Sequence, residues 1–190
     1  MNRRGFMAQA GRLVAGSSLA ALFPFVRLGR EADASLLIPM DDAQSDHLKA
    51  YGVTYRAIQA GGKVEWFLNY RGGSFLLPDV DAIRRDASLA GVAFTPVDDG
   101  TVANIRGEIA GGNMDTVQLE RAPKVAVYVP PFAAPWDDAV TMALQYAGVP
   151  FEKVWDPEVL SGKLKQYDWL HLHHEDFTGQ YSKFYLLYQG

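Results

Sequence analysis

Apolar and polar positions alternate along this chain in blocks of two kinds. Runs rich in Val, Ile, Phe and Tyr predict strands at residues 64–70, 93–98, 116–120, 124–129, 151–155 and 168–173. Apolar residues three and four apart predict helices between them. Leu48, Tyr51, Tyr55 and Ile58 mark one over residues 42–59, which Gly61-Gly62 ends. Pro78-Asp79 opens a second carrying Val80, Ile83, Ala87 and Ala90, and Gly91 stops it. From Val125 to Asp176 the order is strand, helix, strand, helix, strand. Alternation of this kind predicts an α/β protein with a doubly wound, mostly parallel sheet.

The pattern also repeats. At a shift of 57 residues, residues 78–102 fall on residues 135–159 without a gap, and Ala90/Ala147, Gly91/Gly148, Val92/Val149, Phe94/Phe151 and Asp99/Asp156 are identical pairs. Each copy is expected to continue into a short helix and another strand. The domain at residues 35–190 therefore reads as two similar αβ units, about 64–120 and 124–176, joined at Arg121-Ala122-Pro123. Duplication and convergence on one αβ grammar explain the match equally well. A sheet ending near Asp176 leaves an edge strand without a covering helix, so the fold is expected to be incomplete at the C-terminus.

The first 34 residues do not share this grammar. Arg3-Arg4, an apolar run from Leu13 to Val26, and Ala32-Asp33-Ala34 occur in the order of a twin-arginine export signal. The alternative is an amphipathic N-terminal helix. Export implies a periplasmic or extracellular protein, with no stable membrane span after signal removal, because the run is short and rich in Gly and Ser.

Charge and cysteine content narrow the chemistry. The net charge is −4, and five arginines stand against Glu31 and Asp33 in the first 34 residues, so the remainder is more acidic still. Such a surface suits no nucleic acid, whose phosphates need clustered Lys and Arg. With no cysteine in the chain, disulfides, thiolate metal sites and cysteine nucleophiles are excluded.

The richest chemistry lies at the end of the last strand, in His171, His173, His174, Glu175 and Asp176. Ligands gather beyond the carboxyl ends of strands in open α/β sheets. His171 and His173 share one face of a strand, and His174 points to the other. His171 and His173 with Glu175 form a set suited to a divalent metal such as Zn²⁺, whose bound water becomes a nucleophile near neutral pH. The same residues suit a pocket for a small polar or anionic molecule, or hydrogen bonds to loop backbone. A second candidate is Arg71-Gly72-Gly73, with Ser74, expected between a strand and a helix, where backbone N–H groups would cradle an anion. It has neither nucleotide-loop motif, and a plain loop or hairpin turn is the alternative. Asp137 and Asp138 read as a helix start, and Tyr146, Trp155 and Trp169 as core aromatics. Ser74 and Ser182 lack the surroundings of a hydrolase nucleophile.

The segments VEWFLNYRGGSF, PWDDAVTMALQYAGVPFEKVWD and KQYDWLHLHHEDFTGQYSKFY resemble an exported bacterial family commonly labelled asparagine synthetase B, over about residues 36–185. That label implies ATP-dependent amide transfer from glutamine to aspartate. Such chemistry requires an N-terminal cysteine and an S-G-G-x-D-S loop, and the chain has neither. In fold the chain is similar to the class I glutamine-amidotransferase-like group, which implies a flavodoxin-like sheet. That group uses a cysteine nucleophile, so no catalytic residue carries over. The resulting expectation is an exported α/β domain that binds a small polar or anionic ligand near His171–Asp176. The alternatives are a metal-assisted hydrolase using the same cluster, or a non-catalytic interaction module or fragment.

Overall fold

The computed structural model describes residues 34–129 and 139–172. The chain is mixed α/β, as its pattern predicts, but it builds two sheets rather than one. Strands β1 (Ser35–Ile38), β2 (Val64–Leu68), β3 (Ser74–Pro78), β4 (Thr95–Val97) and β5 (Asp115–Leu119) form a sheet in the order β4-β1-β3-β2-β5. Every pairing in it is antiparallel. Strands β6 (Val125–Tyr128), β7 (Phe151–Val154) and β8 (Trp169–Leu172) form a second sheet, ordered β7-β6-β8 and wholly parallel.

The expectation of one doubly wound, mostly parallel sheet is thereby corrected. Its physical cause is the turn after β2. Asn69, Arg71, Gly72 and Gly73 all take positive φ, which folds the chain back on itself and makes β2 and β3 a hairpin. The segment expected to lead into a helix is a strand, and Pro78 closes that strand instead of opening α2 (Asp81–Ala90). Beyond β3, β1 pairs in turn on the free edge and receives β4.

Helices cover both faces of the antiparallel sheet. Alternate strand residues point opposite ways. Leu36, Ile38, Val64, Phe75 and Leu77 pack under Ala50, Val53 and Ala57 of α1 (His47–Gln59) and Ala87 of α2. Leu37, Phe67 and Leu76 pack against Val102, Ile105 and Ile109 of α3 (Asp99–Gly111). This helix has 13 residues, where a short one was expected. In the parallel sheet, Val125, Val127 and Val129 face Leu144 of α4 (Ala139–Ala147). Ala126, Tyr128 and Val154 face the other way, toward Val159 of α5 (Asp156–Leu160) and Leu164 of the 3-10 turn Lys163–Gln166.

The 57-residue match has a structural counterpart. Helices α2 and α4 end on Gly91 and Gly148 at φ 71° and 72°. Val92 N–H donates to Ala87 O and Val149 N–H to Leu144 O, both at 2.9 Å. The two helix ends are the same glycine-terminated turn, each followed by a strand at the matched positions. Their sheets differ: β4 is an antiparallel edge strand, whereas β7 is parallel to β6.

Candidate functional site at the carboxyl ends of the parallel strands

The order β7-β6-β8 places the first strand of this sheet in the middle. The chain leaves β6 through α4 to β7 on one side, then passes through α5 to β8 on the other. Connections that depart in opposite directions open a crevice at the carboxyl ends of the two diverging strands. Here those ends belong to β6 and β8, with Tyr128 opposite Leu172 and Val127 opposite His171.

Near these strand ends, Tyr128 and His171 lie on opposite faces of the sheet. Tyr128 is largely buried on the α5 side, where its phenol donates to Asp156 Oδ1 at 2.5 Å. Its ring lies 4.7 Å from that of Trp155, tilted by 34°. Trp155 N–H donates to Glu158 Oε2 at 2.9 Å, which fixes the first turn of α5 and with it Asp156. Sharing a face with Val127, His171 lies on the α4 side of the sheet and is half-buried. An aromatic wall, a phenol–carboxylate pair and an imidazole thus line the end of the sheet. The phenol is already paired with its carboxylate on the α5 face, and the imidazole offers a donor and an acceptor on the α4 face.

Of the residues expected here, only His171 falls within the described part of the chain. His173, His174, Glu175 and Asp176 follow Leu172 in sequence and lie outside it, as do Asp137 and Asp138. Among the described residues, no group of three or more His, Asp or Glu side chains is placed to hold a metal ion. Sequence reasoning passed over Tyr128 and Asp156 as site residues. They are 28 positions apart and meet only because β6 and β7 are parallel neighbours.

Arg71, Gly72 and Gly73 occupy a different place. They form the β2–β3 turn, on the antiparallel unit. Arg71 forks onto Asp41, with Nε to Oδ2 at 2.7 Å and Nη2 to Oδ1 at 3.2 Å. That contact holds the Asp41 carboxyl below its ordinary range and raises the Arg71 guanidinium. Met40 N–H donates to Arg71 O, Gly73 N–H to Tyr70 O, and the Ser74 hydroxyl to Tyr70 O. A Cβ on Gly72 would stand 2.2 Å from Met40 O, so glycine is needed there for space as well as for its positive φ. Two of the three expected core aromatics are also corrected. Tyr146 and Trp169 are 51% and 53% exposed, whereas Trp155 packs on the buried cluster around Val154.

A concavity of about 1010 Å³ opens elsewhere, between the end of β3 and the first turn of α2. Its charged lining is mostly committed: Arg84 forks onto the nearly buried Asp79, and Glu65 is paired with Arg106. Such pairs leave few free groups to recognise a ligand, and the candidate site is placed at the carboxyl ends of β6 and β8 by the reversal of strand order there.

The described residues form a mixed α/β protein whose parallel sheet reverses its strand order between β6 and β8. The chain matches no protein-family model, no curated protein and no solved structure.

Proposed function

We propose that the protein binds a small polar or anionic molecule in the crevice between β6 and β8. The observation that carries this reading is the β7-β6-β8 order. It makes the exit of β8, from which His171 leads into His173, His174, Glu175 and Asp176, the switch point of the sheet. Second–first–third is also the start of the flavodoxin-like strand order, which supports that fold for the parallel unit. The N-terminal arginines, apolar run and A-x-A segment, with the resemblance to an exported family, support a role outside the cytoplasm. A divalent metal held by His171, His173 and Glu175 is one form the ligand site would take.

Calorimetric titration tests this reading, with inorganic phosphate, acetate and Zn²⁺ as probes, on the wild type and on His171→Ala with His173→Ala. Saturable binding of at least one probe, lost in the double variant while the fold persists, is expected. Binding that survives the double substitution removes the histidines from the site, and no binding of any probe counts against the proposal.

A further inference from the structure

No buried apolar cluster of the described residues is shared between the two sheets. Among the described residues, two clusters draw on residues 36–119 and the other two on residues 125–170. Hydrogen bonds between the units gather where the last turn of α4 meets α1, with another at Pro123 before β6. Tyr55 donates to Pro123 O at 2.7 Å, and the Tyr146 hydroxyl to Asp46 at 2.5 Å. Lys49 bonds Tyr146 O and stands 4.2 Å from the centre of its ring. Gly52 lets the helices touch, since a Cβ there would come within 1.7 Å of Ala147 O.

One guanidinium ties three helices together at this joint. Arg56 of α1 sends Nε and Nη2 to the carboxylate of Asp86 on α2, at 2.9 and 3.1 Å. Its Nη1 reaches Ala147 O at 2.9 Å and Gly148 O at 3.3 Å, at the carbonyl end of α4. A cation is favoured there by the helix dipole, and the planar fork of Arg satisfies both partners at once. The glycine below it is part of the fit: a Cβ on Gly148 would lie 2.6 Å from Arg56 Nη1. At the matched helix end, Gly91 has the same backbone and nothing within 4 Å of such a Cβ.

We propose that Arg56, oriented by Asp86, is an electrostatic latch that fixes the parallel unit on the antiparallel unit, and that its release lets two folded units reorient. Relative motion is the default where an interface is not large and apolar. The latch side chains are about one-third exposed, so salt reaches them.

Amide hydrogen exchange and ¹⁵N relaxation on the full chain test the latch. The wild type at low salt is expected to tumble as one body. In Arg56→Ala the two units should acquire separate, shorter correlation times. Exchange of the Gly148 and Val149 amides should rise about tenfold, as loss of a charge-assisted hydrogen bond implies, with amides of Val64–Leu68 unchanged. Arg56→Lys, a point charge without the fork, should lie between. Wild type in about 1 M salt, where screening acts within about 3 Å, should move the same way. Tumbling of Arg56→Ala as one body with unchanged exchange in α4 overturns the proposal. So does a uniform loss of protection in both sheets, which would make Arg56 a residue of global stability.

Discussion

The Tyr128 hydroxyl and the Asp156 carboxylate meet at 2.5 Å, joining the end of β6 to the first residue of α5. The bond reaches a charged acceptor from a largely buried ring, where deletion costs more than at a free surface. Tyr128→Phe is therefore expected to lower stability by roughly 1–2 kcal/mol in urea melts. Asp156→Asn retains an acceptor and should lose less. An equal or larger loss in Asp156→Asn would mean that the carboxylate serves α5 rather than the tyrosine.

Gly91 and Gly148 share one backbone conformation and differ in what surrounds them. Alanine at either position meets the positive-φ penalty, about 1 kcal/mol. At Gly148 it also meets the Arg56 guanidinium. Gly148→Ala is expected to be the more destabilising of the two in equilibrium unfolding. Equal losses would show that Arg56 moves aside at little cost.

Asp46 caps α1 by accepting from Lys49 N at 2.9 Å and also accepts from the Tyr146 hydroxyl. The Tyr146 bond first, then the Lys49 amide, hold its carboxyl below the ordinary value. A depressed acid stabilises the fold above its unfolded pKa, near 3.8, and loses that contribution as pH falls through the lower folded value. Asp46→Ala should cost roughly 0.5–2 kcal/mol at neutral pH, as helix caps do. Asp46→Asn keeps an acceptor without the charge. The stability gap between it and the wild type should be constant near neutrality and shrink below about pH 4. A gap that widened on acidification would reverse the assigned shift.

Legibility in the sequence followed burial and local spacing. In the parallel unit, strands β6, β7 and β8 and the end of α4 stand close to where periodicity placed them. Strands β6 and β7 are each a short apolar run followed by a helix and a glycine, Gly148 and Gly162. The antiparallel unit misled because Val64–Leu68 is covered on both faces, as a parallel strand would be, so its alternation does not reveal the direction of its neighbours. Ser74–Pro78 was hidden behind Gly72-Gly73, and Pro78 looked like a helix start. Helix α3 looked short because Gly100, Gly107 and Gly111 weaken its propensity, yet Val102, Ile105 and Ile109 anchor it to the sheet. At the site, consecutive histidines were visible, while the Tyr128–Asp156 pair depends on strand pairing that no local pattern encodes.

Zinc offers a further check on the histidines. Imidazole binds metal in its neutral form, so any zinc affinity owed to histidines should strengthen as pH rises between about 5 and 8. Affinity that is flat across that range would assign zinc binding to carboxylates instead.

The most direct test of the crevice between β6 and β8 is a map of amide chemical shifts in the full chain during titration with phosphate, acetate and Zn²⁺. Saturable shifts at Tyr128, Val129, Trp155, His171 and Leu172, with the amides of β1 to β5 unmoved, are the predicted result. Shifts that gather instead around Asp79 and Arg84, or no saturable shift with any probe, would contradict a ligand site at the carboxyl ends of the parallel strands.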